Sequence, residues 1–295
     1  MKKWKVIRTL FLVMFVVFTA LAINQFYQYK RSEAMYELAR RQYQFERDLR
    51  NAMAATIEEE GDLNNEPDTD NEHEIPQDQN DENDEIEWSD PSNVEEETNA
   101  PPAVVDTPPS ENSLSEAGEV IGWISIPGTK IDYPVVQTTD NDFYLTHNYL
   151  GNRDVKGAIY MDFRNGEIGE DRNYNIYGHK MMDGTMFSDL TYYVQSGTYQ
   201  RYFEQYDRVY YDDFETETEW QIFSAYVVNL NRENYYLYTK YWDDDNFQAY
   251  IDEIRDRSMV QKEVSVGLDD QIITLVTCNF WYDNARVIVH AVRVN

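Results

Sequence analysis

The chain has 295 residues, a formal net charge of −30 at pH 7 and a single cysteine, Cys278. This length fits one or two domains. Most of the negative charge lies in residues 51–119, and no part of the chain offers the basic face that phosphate contacts need, which argues against a nucleic-acid partner. One cysteine cannot form an intramolecular disulfide. It is therefore a reactive group, a partner in a disulfide between chains, or a small buried hydrophobe, and its count alone does not decide among them.

The N-terminus predicts a membrane anchor over residues 1–29. Four basic residues precede an apolar run, Leu10–Ile23, and Trp4 and Tyr27 flank it at interfacial positions. The basic end favours a cytoplasmic N-terminus with the rest of the chain outside. A cleaved signal peptide is the alternative, because Ala20-Leu21-Ala22 resembles a cleavage site. Both interpretations place the remaining chain outside the cytoplasm.

Two segments of different composition follow the anchor. Residues 30–57 are rich in helix-forming residues without Gly or Pro, which predicts a juxtamembrane helix. Residues 58–118 are acidic, rich in Asn and Pro, and poor in apolar side chains. Such a segment cannot bury enough surface to offset chain entropy, so it is predicted to be a disordered spacer. The composition changes again at residue 119, and residues 119–295 form the predicted folded domain.

The folded domain has the pattern of a mainly β protein. Short β-prone runs are separated by turn signals such as Pro127-Gly128 and Asn165-Gly166, and IITLVTC and ARVIVHAVRV close the chain as strands. About six to eight strands predict a barrel or a sandwich. A short helix is predicted after Thr185. A second is predicted over 243–257, where acidic residues stand at the positive end of the helix dipole.

Cys278 is the first candidate for chemistry, and it needs a neighbour that favours the thiolate, because a free thiol has a pKa of about 8.5. His179 follows a strand-like segment and a glycine, a loop position from which an imidazole can face a cleft; a surface histidine is the alternative. His147 also lies in a polar segment. His290 is flanked by apolar residues and is predicted to be structural, and His73 lies in the acidic spacer.

Arg286 opens the last predicted strand. Asp283-Asn284 is a turn-forming pair, so the runs on either side are predicted to form a hairpin that brings Arg286 within reach of Cys278. A surface arginine paired with Asp283 is the alternative. The sequence has neither metal-ligand spacing nor a glycine-rich phosphate loop, so no metal or other cofactor is expected.

Three separated motifs resemble the sortase family, class B. The first is TLVTC, ending at Cys278, followed by Arg286. The second is NIYGHKMMDGTMFSDL around His179, and the third is IGWISIPGTKIDYPVVQTTDNDFYL near the start of the domain. The predicted helix at 243–257 is similar to the extra helix of class B. The resemblance covers residues 119–295.

The resemblance implies an eight-stranded sortase-type β-barrel with short helices, preceded by the membrane helix and the acidic spacer. It implies a membrane-anchored cysteine transpeptidase that cleaves a C-terminal sorting motif of secreted proteins through a Cys thioester. The acyl group then passes to an amine of a cell-wall precursor or a pilin. By matching motif positions, Cys278 would be the nucleophile, His179 the general acid and base, and Arg286 the residue that stabilises the oxyanion or positions the substrate.

The same resemblance implies substrate-binding positions at Asn141, Leu145 and Thr277. Two other functions remain open on the residues alone. One is a surface cysteine protease that hydrolyses its substrate without transfer. The other is a catalytically silent, membrane-tethered binding module, whose cysteine would be buried and slow to alkylate.

Overall fold

The computed structural model describes residues 2–63, 120–233, 235–260, 262–279 and 284–294. Its helices are α1 (Lys2–Leu63), α2 (Tyr199–Gln205) and α3 (Asp244–Asp256), with 3₁₀ turns at Phe143–Leu145 and Phe187–Tyr193. Its strands are β1 (Val120–Ser125), β2 (Asp132–Val136), β3 (Ile159–Met161), β4 (Asn173–Tyr177), β5 (Arg208–Asp212), β6 (Glu217–Asn229), β7 (Ile272–Asn279) and β8 (Ala285–Arg293).

The strands form a closed barrel in the order β1-β2-β3-β4-β7-β8-β6-β5, and β5 pairs with β1 to complete the ring. This confirms the predicted mainly β fold and selects the barrel over the sandwich. Neighbouring strands are antiparallel except for two parallel pairs, β2 with β3 and β4 with β7. The parallel β4–β7 pair matters most for function, because parallel strands end at the same edge of a sheet.

Side chains of β7 and β8 alternate between two apolar clusters, as the two-residue period of a strand requires. Ile273 and Leu275 belong to the cluster inside the barrel. Ile272 and Val276 belong to a second cluster, which lies under α3. The predicted helix at 243–257 is α3, and its N-terminus is capped by the Asp243 carboxylate, which accepts a hydrogen bond from the Asn246 N–H.

The predicted anchor and the predicted juxtamembrane helix are parts of one continuous helix, α1. Its N-terminal part is long and apolar enough to span a membrane. Residues 2–48 and the barrel fall within one compact unit, and the last residues of α1, 49–63, fall outside it. The helix continues to Leu63, so the predicted spacer at 58–118 begins inside α1, and its residues 64–118 lie outside the described residues.

His290 on β8 is the buried structural histidine that its apolar neighbours predicted. It is fully buried, and both ring nitrogens have partners: Nδ1 lies 2.8 Å from the Thr274 hydroxyl and Nε2 lies 2.9 Å from the Tyr226 hydroxyl. The Thr274 hydroxyl donates its own proton to Asn173. It therefore accepts from Nδ1–H, and Tyr226 donates to Nε2. This arrangement suits the neutral ring, and burial lowers the pKa of His290 to about 3.

His290 predicts a pH dependence of stability. Its pKa is about 6.5 in the unfolded chain and about 3 in the folded one, so the unfolded state binds more protons between these values. The free energy of unfolding should therefore fall as the pH drops below 6.5, by about 1 kcal/mol per pH unit. Urea titrations of the full chain in detergent at pH 6.5 and pH 5 should detect this loss. His290→Asn should be less stable overall but should lose this part of the slope, and equal slopes in the two proteins would contradict the assignment.

Candidate active site

Three strand ends bring Cys278, His179 and Arg286 to one edge of the barrel. Cys278 lies near the end of β7 and is paired across the antiparallel ladder with Arg286, near the start of β8. On the other side of β7, the parallel strand β4 pairs Tyr177 with Val276, and the Gly178 N–H donates to the Val276 carbonyl. His179, two residues beyond Tyr177, therefore reaches the level of Cys278.

The imidazole of His179 is held between a backbone carbonyl and the thiol. Its Nε2 lies 2.7 Å from the carbonyl oxygen of Leu145, and the ring also hydrogen-bonds with Cys278. A carbonyl oxygen can only accept, so Nε2 carries a proton in either charge state of the ring. The hydrogen bond with Cys278 raises the pKa of His179, and the bond to Leu145 adds to this effect. Burial and the nearby Arg286 oppose it.

The same contacts act on the thiol in the opposite direction. The hydrogen bond with His179 lowers the pKa of Cys278, and the positive charge of Arg286 contributes to the same shift, while burial opposes it. Cys278 is half-buried, so the residue is not enclosed in the core. A cysteine whose thiolate is favoured is typical of a nucleophile and not of an inert core residue.

A groove of about 380 Å³ opens beside this edge. It is lined by Arg164, Tyr177, Leu230, Tyr235, Tyr236, Leu237, Tyr238, Val276, Arg286 and Ile288. Val276 and Arg286 place the groove on the face of the sheet that also carries Cys278, since residues two apart on a strand share a face. A larger cavity of about 900 Å³ lies between α1 and the loop around Asp183, and Arg286 does not line it.

One wall of the groove is fixed by a buried carboxylate. Asp162 accepts hydrogen bonds from Arg164 and from the Tyr177 hydroxyl, the latter at 2.7 Å. Burial would raise the pKa of Asp162, but these hydrogen bonds outweigh it and the pKa is lowered. Arg164 also donates to the Leu237 carbonyl at 3.0 Å, which ties the segment after β6 to this wall.

The three predicted substrate-binding residues have different environments. Leu145 is adjacent to the site, because its carbonyl holds His179 while its side chain is partly exposed. The side-chain oxygen of Asn141 accepts from the Phe163 N–H, so it organises the neighbouring loop. Thr277 is buried, and its hydroxyl has no hydrogen-bond partner among the described residues. It follows Val276 and precedes Cys278, so it points to the other face of β7.

The other histidines with described side chains lie apart from the thiol. His147 stacks on Phe143, with ring centroids 4.1 Å apart, and its Nδ1 contacts the Phe143 carbonyl at 2.8 Å. His290 is enclosed under α3. His73, together with Asp283, the alternative partner of Arg286, lies outside the described residues. Among the described histidines, His179 is therefore the one that the fold brings to Cys278.

Two residues near the site were not singled out from the sequence. Tyr160 on β3 is buried, stacks on Tyr177 at 5.2 Å, and interacts electrostatically with both Cys278 and Arg286. Gly157 packs so closely on His179 that a β-carbon there would lie 3.1 Å from its Cδ2. An aromatic residue in a short strand and a glycine in a loop give no distinctive pattern, and only the folded arrangement places them here.

Comparisons with known proteins agree with this geometry. The chain matches the family model described as "Sortase domain" over residues 124–294. It is 34% identical over 173 residues to sortase B of Listeria monocytogenes, covering 58% of this chain and 68% of that protein.

Solved structures give the same result. The structure of Clostridium perfringens sortase B matches with a TM-score of 0.58 and 30% identity, over 62% of this chain and 98% of that one. A Staphylococcus aureus sortase B–substrate complex matches with a TM-score of 0.56 and 31% identity, over 62% and 83%.

The lowered pKa of Cys278 predicts its reactivity. The iodoacetamide alkylation rate of the native chain should reach half its maximum at a lower pH than the rate of the same cysteine in the unfolded chain. In His179→Ala the hydrogen bond is lost while burial remains, so the midpoint should move to higher pH. Mass spectrometry can follow the reaction without ambiguity because the chain has one cysteine. An unchanged midpoint in His179→Ala would show that the imidazole does not act on the sulfur.

Proposed function

We propose, because this chain belongs to the sortase family, that Cys278 is its nucleophile, His179 its general acid and base, and Arg286 the residue that stabilises the oxyanion. The family makes the chain a cysteine transpeptidase of the sortase B kind, which acts in cell-wall anchoring. The observation that carries the residue assignments is the convergence of thiol, imidazole and guanidinium at one barrel edge.

In the first half of the proposed reaction, the Cys278 thiolate attacks the carbonyl carbon of the scissile peptide bond. The carbonyl oxygen becomes negative, and the guanidinium of Arg286 stabilises that charge; one such donor can contribute about 10²–10³ in rate. The tetrahedral species collapses as the C–N bond breaks. The imidazolium of His179 gives its proton to the departing amine, which leaves a thioester on Cys278 and a neutral imidazole.

In the second half, an acceptor amine attacks the thioester carbonyl. Neutral His179 takes the proton from the attacking nitrogen, the C–S bond breaks, and the sulfur leaves as the thiolate. The new amide is released, and Cys278 and His179 return to the thiolate–imidazolium pair. The hydrogen bond from Nε2 to Leu145 supports this cycle, because it leaves the other ring nitrogen as the one whose proton is exchanged.

The proposed substrate is the C-terminal sorting motif of a secreted protein, and the proposed acceptor is an amine of a cell-wall precursor or a pilin. An extended peptide would lie along the groove that Tyr236, Tyr238 and Arg286 line. Asn141, Leu145 and Thr277 stay proposed substrate-pocket positions. Leu145 lies beside His179, which supports a role for Leu145 in substrate binding. The buried hydroxyl of Thr277 gives less support for such a role.

The proposed location is the cell membrane, with a cytoplasmic N-terminus and an extracellular catalytic domain. The apolar helix near the N-terminus supports a membrane span, and the basic residues before it favour this orientation. The proposed division of the chain is an anchor at 1–29, a juxtamembrane helix at 30–57, an acidic spacer at 58–118 and a catalytic domain at 119–295.

Substitutions at the three residues test the mechanism. Cys278→Ala should leave the fold intact and abolish cleavage of a sorting-motif peptide, and His179→Ala should lose nearly as much. Arg286→Lys should also be damaging, because a point charge does not replace a planar guanidinium. Circular dichroism controls for folding, and peptide cleavage is followed by mass spectrometry. Wild-type turnover in Cys278→Ala would end the proposal.

Product analysis separates transfer from hydrolysis. With a peptide library and candidate amines, the chain should form amide products whose share rises with amine concentration. A surface cysteine protease would give the same hydrolysed product at every amine concentration. A silent binding module would give neither product, and its cysteine would resist alkylation in the native state.

A further inference from the structure

One face of α1 is buried against the barrel. Ser32, Tyr36, Ala39 and Tyr43 are all nearly inaccessible to solvent, and their spacing of four, three and four residues puts them on one stripe of the helix. Arg40 adds an ion pair to Asp132, with Nε and Oδ2 2.7 Å apart. The part of α1 that follows the apolar run Leu10–Ile23 is thus packed as a component of the catalytic domain.

Tyr36 is the residue of this stripe that contacts the loop beside the active site. Its ring lies between Tyr133 and Tyr149, with centroids 5.4 and 5.5 Å away. Its buried hydroxyl donates a hydrogen bond to the carbonyl of Gly157 at 2.7 Å. Because the hydroxyl is buried, this bond fixes the position of the Gly157 peptide more firmly than an exposed one would.

Gly157 in turn touches the groups that hold the catalytic imidazole. Its φ is +58°, and a β-carbon there would lie 2.5 Å from the Tyr144 carbonyl, 3.0 Å from the Leu145 carbonyl and 3.1 Å from Cδ2 of His179. The backbone at 157 is therefore pressed against both partners of the Nε2 hydrogen bond. A shift of this peptide would change the distance between His179 and the Leu145 carbonyl.

A second contact links the same loop to the segment after His179. Lys156 is buried, its ammonium lies 2.9 Å from the carboxylate of Asp183, and it faces the ring of Tyr29 on α1 at 5.3 Å. Asp183 stands four residues beyond His179. The loop at 156–157 thus contacts α1 through Tyr36 and Tyr29. The same loop also contacts the imidazole of His179 and Asp183 in the segment that follows His179.

We propose that Tyr36 is a positioning residue for the proposed general acid and base. Through its hydrogen bond to the Gly157 carbonyl, it holds the loop that sets His179 against Leu145 and Cys278. The inference rests on the proposed function. It makes the juxtamembrane part of α1 a contributor to catalysis as well as a tether.

The chain supplies a matched pair of variants on the same helix face. Tyr36→Phe removes only the hydroxyl that bonds Gly157. Tyr43→Phe removes a hydroxyl two turns later, which donates to Asp212 at 3.0 Å while its ring stacks on Trp123. Both variants lose one buried hydrogen bond. Only the bond of Tyr36 is made to a residue, Gly157, that lies against His179. The comparison should use the full chain in detergent micelles, well below the unfolding temperature of each variant.

Tyr36→Phe should lower kcat for the sorting-motif peptide about threefold to tenfold, with little change in KM. This factor corresponds to the net free energy that one hydrogen bond contributes. A looser bond to Leu145 lowers the pKa of His179, so the midpoint of Cys278 alkylation should move to higher pH. Tyr43→Phe should leave kcat and the midpoint at their wild-type values. Lys156→Met is a second variant, expected to lower kcat through the loop that contains Asp183.

The outcomes separate this inference from the proposed function. Equal kcat and equal alkylation midpoints in Tyr36→Phe and Tyr43→Phe would overturn the positioning role, even if Cys278→Ala is inactive. A shifted midpoint in Tyr36→Phe alone would support the coupling to His179, even if the wild-type chain proved to hydrolyse without transfer. A drop in kcat matched by an equal rise in KM would also count against it, since positioning of the acid and base acts on the chemical step.

Discussion

The register of β7 between its two neighbours is the constraint on which this site depends. The parallel partner β4 ends at the same barrel edge as β7, and the antiparallel partner β8 begins there. Cys278 and Arg286, which face each other across one hairpin, therefore meet His179 from a distant part of the sequence without a long loop to position them. A shift of β7 by one residue would turn Cys278 to the other face of the sheet and remove it from both His179 and Arg286.

Two histidines of this barrel have pKa shifts in opposite directions, because their partners differ. His290 is enclosed by neutral hydroxyl groups under α3, so desolvation lowers its pKa. His179 lies at the barrel edge, where the thiol and the Leu145 carbonyl both favour the charged ring, so its pKa is raised. The first stabilises the fold as a neutral group. The second interacts with Cys278 and lowers the pKa of its thiol.

Much of the fold could be predicted from the sequence, because it depends on local patterns. Alternating β-prone runs indicated the strands, and the spacing of Phe247, Ile251 and Ile254 predicted α3. Cys278 is the only cysteine of the sequence and His179 is one of four histidines, so both could be selected with the motifs around them. Arg286 could be selected because it opens the last strand, directly after a turn-forming pair. The contact between Cys278 and Arg286 followed from a short hairpin.

Other features of the site depend on long-range packing and leave no local pattern. The carbonyl oxygen of Leu145 belongs to the backbone, and every residue type has one, so the sequence could not predict its hydrogen bond with His179. The close approach of Gly157 depends on a left-handed turn that brings it against the imidazole. The docking of α1 joins Tyr36 to a peptide more than a hundred residues later. Helix-forming composition predicted the helix but not the surface that it would cover.

Capture of the acyl intermediate would identify the nucleophile of this chain. The full chain would be mixed with a sorting-motif peptide, quenched in acid within one turnover, digested and mapped by mass spectrometry. The N-terminal fragment of the peptide is expected on Cys278, attached as a thioester that hydroxylamine removes. Cleavage with an unmodified Cys278 throughout the time course, or an acyl group on another residue, would contradict it.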